Sequence, residues 1–108
     1  MKEADSPGEM LFWDLAEEMY ADPAVTRSTM MGFPCLRVNG AFLASLEPST
    51  DHLIVKLSEA RVGDVIDQGI GRSFAPNGWV FREWVAIPQP DHDTWNSLLR
   101  EAKDFVGG

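Results

Sequence analysis

The chain has 108 residues, 44% of them hydrophobic and 24% charged, which suits one compact domain of ~100 to 150 residues. That balance excludes a disordered, collagen-like or low-complexity chain. The formal charge of -8, from 9 basic and 17 acidic residues, argues against a protein held on nucleic acid by general phosphate attraction.

The charge is unevenly spread. Residues 1–25 carry seven acids and one base, 26–82 five acids and six bases, and 83–108 five acids and two bases, so the acid excess sits at the two ends and the middle is slightly basic. Uncharged apolar stretches such as 30–36 fall far short of the roughly 20 residues of a membrane helix, so no membrane partner is expected. The charged start, Met1-Lys2-Glu3-Ala4-Asp5, leads into no apolar segment and does not read as a secretory signal. One cysteine, Cys35, allows no internal disulfide, in keeping with a cytoplasmic location.

Residues 1–5 are expected to be flexible. Ser6-Pro7-Gly8-Glu9 has the form of a capping box with proline at the first helical position, and Phe12, Leu15, Ala16, Met19 and Tyr20 then make one apolar stripe that Asp22-Pro23 ends. From Thr26 the period changes to two. Leu36 and Val38, then Phe42, Ala44 and Leu46, then Leu53, Val55 and Leu57 alternate with other residues, and the Asn39-Gly40 turn marks a hairpin inside a three-stranded meander. Residues 26–31 are read as the start of the first of these strands, with Gly32-Phe33-Pro34 as a bend or bulge. Ser58 caps a short helix through Val62, Val65 and Ile66. Residues 72–75 and 79–87 flank Pro76-Asn77-Gly78 and are read as a second hairpin. Asp91 then caps a last helix with Trp95, Leu98, Leu99, Ala102, Phe105 and Val106 along one side.

The expected architecture is therefore an α+β two-layer sandwich in the order α-β-β-β-α-β-β-α, a five-stranded antiparallel sheet with helices on one face. The other sheet face would carry the residues out of phase with the core: Cys35, Arg37, Leu43, Ser45, His52, Ile54 and Lys56, with Arg82 and Trp84 from the last strand.

Arg27-Ser28-Thr29-Met30-Met31-Gly32, the strand 36–38, Asn39-Gly40 followed by Phe42-Leu43-Ala44, Leu53-Ile54-Val55-Lys56, and Glu83-Trp84-Val85-Ala86-Ile87-Pro88 before a tryptophan-bearing final helix together resemble the TfoX N-terminal domain family and its YjbR/MmcQ-like relatives over roughly 10–106. The resemblance implies a small bacterial α+β domain of the order just derived. In regulators of competence this domain is joined to a second helical domain, for which the 108 residues leave no room, and YjbR-like relatives are labelled DNA-binding by structural analogy. A shared fold does not bring a site with it.

The chemistry-bearing residues are weak candidates one by one. Cys35 and His52 would have to form a thiol–imidazole pair, whereas a cysteine in an apolar strand is usually a small buried hydrophobe. Asp91-His92-Asp93 offers metal donors, but three consecutive residues diverge and helix capping accounts for them. Gly69-Ile70-Gly71 lacks the rest of a phosphate-cradling loop. Glu83, in an apolar strand, is expected buried against Arg82, Arg72 or Arg27. No catalytic residue, metal ligand or cofactor is therefore assigned. The candidate binding face consists of Arg27, Arg37, His52, Lys56, Arg82 and Trp84, cations around an aromatic platform. The first reading is a non-enzymatic binding or adaptor domain acting through a protein partner or as a homodimer. The alternatives are a nucleic-acid-binding regulator using the basic face and a small-ligand binder near Trp84.

Overall fold

The computed structural model describes residues 6–30 and 32–108; the segment 1–5, with its expected flexibility, and Met31 lie outside the described residues. Ser6 opens α1 (Pro7–Met19) by accepting from the Glu9 amide at 3.2 Å. A second group closes the same helix end from a distance in sequence. The Asp51 carboxylate accepts from the buried Gly8 amide at 2.9 Å and from the Ser6 hydroxyl. It is aimed there by a tight turn in which the Asp51 amide donates to the Glu47 carbonyl at 2.8 Å and Asp51 takes φ 64°, a left-handed conformation that aspartate tolerates better than most residues.

Six strands, not five, form the sheet: β1 (Val25–Met30), β2 (Phe33–Val38), β3 (Ala41–Glu47), β4 (His52–Lys56), β5 (Arg72–Ser73) and β6 (Trp84–Ile87), in the spatial order β1-β2-β3-β4-β6-β5 with every neighbouring pair antiparallel. The extra strand comes from residues 25–30. They pair with β2 along its whole length instead of leading into it, because Gly32 at φ 84° reverses the chain. Pro34 is tolerated in β2 opposite Thr29 of the edge strand.

The second departure is a bulge. Between β2 and β3 the register steps from Leu36↔Ala44 to Arg37↔Phe42, leaving Leu43 as the extra residue. Two residues then oppose one, and side-chain alternation restarts. Leu43, expected on the uncovered face, is fully buried in the core, while Phe42, expected in the core, turns outward.

The helices α2 (Glu59–Asp67) and α3 (His92–Gly107) start as expected, with the Ser58 hydroxyl accepting from the Arg61 amide at 3.2 Å and the Asp91 carboxylate accepting from the Thr94 amide at 2.9 Å. One face of the sheet, carrying the rows Leu36–Ala44–Val55–Val85 and Leu46–Leu53–Ile87, packs in a single core with Phe12 and Leu15 of α1, Val65 of α2, and Trp95 and Leu99 of α3. Among the described residues three ion pairs fasten the helical layer at its margin: Arg61 Nε to Glu101 at 2.8 Å, Lys103 Nζ to Asp22 at 2.9 Å and Arg100 to Glu18 at 3.7 Å. Among the described residues no helix is long and apolar enough to cross a membrane.

The expected second hairpin is short. β5 and β6 pair only at Arg72↔Ala86 and Ser73↔Val85. The turn falls where Asn77-Gly78 suggests, with the Gly78 amide donating to the Ala75 carbonyl at 3.2 Å, but residues 74–83 leave the ladder. They form a loop over the face that no helix covers.

Candidate functional site

Across the uncovered face runs a row of directly paired residues, Ser28–Cys35–Ser45–Ile54–Ala86–Arg72. The middle of that row would be solvent-exposed on a bare antiparallel sheet. Instead Cys35, Ser45, Ile54 and Ala86 are all buried, the last three only 6%, 4% and 6% exposed. The loop over residues 74–83 lies over Ser45 and Ile54, with which it lines one space. It folds back on itself through the Phe81 amide, which donates to the Phe74 carbonyl at 3.0 Å, and through an edge-on contact of the two rings with centroids 5.6 Å apart. It is tied to the sheet where the Leu57 amide donates to the Glu83 carbonyl at 2.9 Å.

Between loop and sheet lies a groove of about 580 Å³, floored by Ser45 and Ile54, walled by the rings of Phe33, Phe42, Phe74, Phe81 and Trp84, and rimmed by Glu47, Pro76 and Asn77. This volume and this proportion of aromatic to polar lining are those of ligand pockets, which run ~300 to 1,000 Å³. Phe33 and Phe81 remain 39% and 44% exposed, and Trp79 and Val80 at the loop tip 78% and 59%. An apolar surface thus continues from the groove to the outside.

The six residues singled out from the sequence divide. Arg37, His52, Lys56 and Trp84 stand on the uncovered face. Trp84 lines the groove, while Arg37 stacks over Phe42 at 4.1 Å and Lys56 lies 5.7 Å from the Trp84 ring centroid. Arg27 is on the other face: it pairs with the core residue Leu36, and its guanidinium sits 4.2 Å over the Trp13 ring of α1. Arg82 is in the loop, with a guanidinium nitrogen 3.4 Å from Glu59 at the start of α2. Glu83, expected buried, is exposed and lies 3.9 Å from Lys56, because β6 begins one residue later. The expected grouping of four cations is thus broken up by the β1–β2 register, which sets Arg27 opposite the core residue Leu36, and by the loop that holds Arg82.

The residues that sequence reasoning passed over are the phenylalanines. Simple alternation puts Phe42 in the core, and aromatic content puts Phe74 and Phe81 in strands; the one available signal is an aromatic pair bracketing Pro76-Asn77-Gly78.

Other groups with chemical potential are not assembled. Cys35 and His52 lie on strands separated by β3 and are two positions out of register, about 12 Å apart by strand spacing and rise. The Cys35 thiol contacts the Phe33 carbonyl at 3.3 Å. His92 Nδ1 meets the Asp93 carboxylate at 3.2 Å while Asp91 caps α3, and among the described residues no three His, Cys, Asp or Glu side chains gather as metal donors. The shifted carboxyls lie away from the groove. The Lys103 hydrogen bond, helped by the Ala24 amide, lowers the Asp22 pKa, and the Thr94 hydrogen bonds lower that of Asp91. Burial raises the Tyr20 phenol, with Arg27 opposing.

Comparison with family models, with curated proteins and with solved structures finds no match for this chain.

Proposed function

We propose that the protein is a non-enzymatic binding domain of the kind that TfoX N-terminal and YjbR-like sequences resemble, and that its working surface is the aromatic groove beside Trp84. The observation that carries this reading is the burial of Ser45 and Ile54 beneath a loop instead of beneath a helix. Five rings converge on them around about 580 Å³ of open space. An open groove of that size with a mostly apolar lining supports uptake of an apolar group from outside. Of the three readings drawn from the sequence, the small-ligand one gains most from this geometry.

Docking of a protein partner or a second copy is favoured by a different observation, the exposed Trp79 and Val80 next to the groove. The nucleic-acid reading loses support, since Arg27 is stacked on Trp13 and Arg82 pairs with Glu59 instead of joining Arg37 and Lys56.

Amide chemical-shift mapping during titration with small aryl and alkyl probes tests the proposal. Shifts should concentrate at Ser45, Ile54 and residues 74–84 and disappear in Ile54→Glu. Shifts confined to the helical layer would refute it.

A further inference from the structure

The groove's lining has a polarity that its shape alone does not require. Five aromatic rings surround it, and the one charged side chain among its lining residues is Glu47. Phe33 and Glu47 each stand two residues beyond the Cys35↔Ser45 pair that ends the β2–β3 ladder, and both line the groove, so a ring and a carboxylate lie toward the same end. The Glu47 Oε1 atom accepts from the Thr50 hydroxyl at 2.8 Å; His52 of β4 stands directly opposite Glu47 in the ladder, but among the described residues no lysine, arginine or histidine forms an ion pair with the carboxylate. Arg37 and Lys56, the nearby cations of the same face, lie over Phe42 and Trp84 and do not line the space.

Resting on the binding reading above, we infer that the groove takes a hydrophobic organic cation, an arylalkyl amine or quaternary ammonium. Its charge is held between Glu47 and the Phe33 ring, and its apolar body lies over Ile54 beneath Phe74 and Phe81. The electron-rich faces of aromatic rings attract cations, and a ring cage with a carboxylate is how quaternary ammonium groups are recognised. The volume, about 580 Å³, is far more than an ammonium head needs, so the ligand carries a body as well as a charge. The chain's charge of -8 favours the approach of a cation over that of an anion.

The experiment is calorimetric titration of the intact protein with (4-phenylbutyl)trimethylammonium, with 4-phenylbutanoate and 4-phenylbutanol as anionic and neutral controls sharing the same body. The cation should bind at least about tenfold more tightly than either control, a discrimination of the size cation–π contact and a partly buried charge supply together. Glu47→Gln, which keeps the acceptor for Thr50, should erase most of that preference without weakening phenylbutanol. Phe33→Leu, which removes a ring but keeps an apolar wall, should reduce cation affinity several-fold and the alcohol's affinity by clearly less. If all three compounds bind alike, or the carboxylate binds best, the cation inference is overturned and the groove reading stands. If none binds the wild-type protein, both fall.

Discussion

Removing the Asp51 carboxylate tests how the helical layer is fixed to the sheet. Asp51 sits in the turn between β3 and β4, yet it satisfies the buried Gly8 amide at 2.9 Å and the Ser6 hydroxyl at the start of α1. Asp51→Ala leaves the Gly8 donor unpaired, at about 1–3 kcal/mol. It also withdraws a negative charge from a helix N-terminus, at about 0.3–1 kcal/mol, and puts alanine at φ 64°, which costs about 1 kcal/mol. The total is roughly 3 kcal/mol, and at about 4–8 °C per kcal/mol for a domain near this size the midpoint should fall by about 12–24 °C. Two further variants separate the contributions. Asp51→Gly relieves the backbone and should recover about 1 kcal/mol. Asp51→Asn keeps an acceptor and a left-handed preference, so it should cost only about 1 kcal/mol in total. Thermal and urea unfolding followed by circular dichroism read all three. Gly8→Ala provides a check from the other side: alanine is the better helix former by about 1 kcal/mol, but its Cβ would lie 2.5 Å from Asp51 Oδ1 and 2.8 Å from the Asp51 carbonyl oxygen, so it should destabilise, and non-additively with Asp51→Gly. A midpoint for Asp51→Ala within about 2 °C of wild type, or a stabilising Gly8→Ala, would refute the assignment of Asp51 as the tie between turn and helix.

Three other outcomes follow from the same geometry. Leu43→Ala should cost about 2–5 kcal/mol and Phe42→Ala well under half as much by urea denaturation; the reverse ranking would put the bulge elsewhere. Gly71→Ala would set its Cβ 2.8 Å from Val85 and 2.9 Å from Val65, and overpacking of this kind should destabilise by about 1–3 kcal/mol. The lowered Asp22 pKa means that the folded state holds this carboxyl ionised more strongly than the unfolded chain does. Its stabilisation is therefore complete above about pH 4 and lost as pH falls through the folded value. Lys103→Met should remove that share of the acid limb, which a stability profile from pH 2 to 6 would show; an unaltered slope would discount the Lys103–Asp22 contact.

The class of fold was legible because helix caps and periodicity are local signals. Ser6, Ser58 and Asp91 mark all three helix starts, Asn39-Gly40 marks its hairpin, and the stripes of Phe12 to Met19 and Trp95 to Ala102 are the buried faces. What was not legible depends on pairing between segments. A bulge adds one residue to one strand, and nothing in Phe42-Leu43-Ala44 alone says which of two apolar neighbours turns inward. The separate β1 depended on whether Gly32 bends or reverses the chain. At the groove, Trp84 was legible as outward-facing, whereas Phe74 and Phe81 looked like strand residues because aromatic content is a strand signal. Their contact with each other, across a turn, is what takes them off the ladder.

The loop over residues 74–83 begins and ends beside the same pair of strands, and the core contains none of its side chains. Three walls of the groove, Phe74, Phe81 and the adjoining Trp84, thus come from eleven consecutive positions, whereas the sandwich is encoded elsewhere. What the groove accepts and how the protein folds are consequently separable inheritances. The ten-residue stretch can be rewritten, lengthened or exchanged to alter selectivity while the layer of Trp95, Leu99 and Phe12 behind the sheet continues to specify the same scaffold.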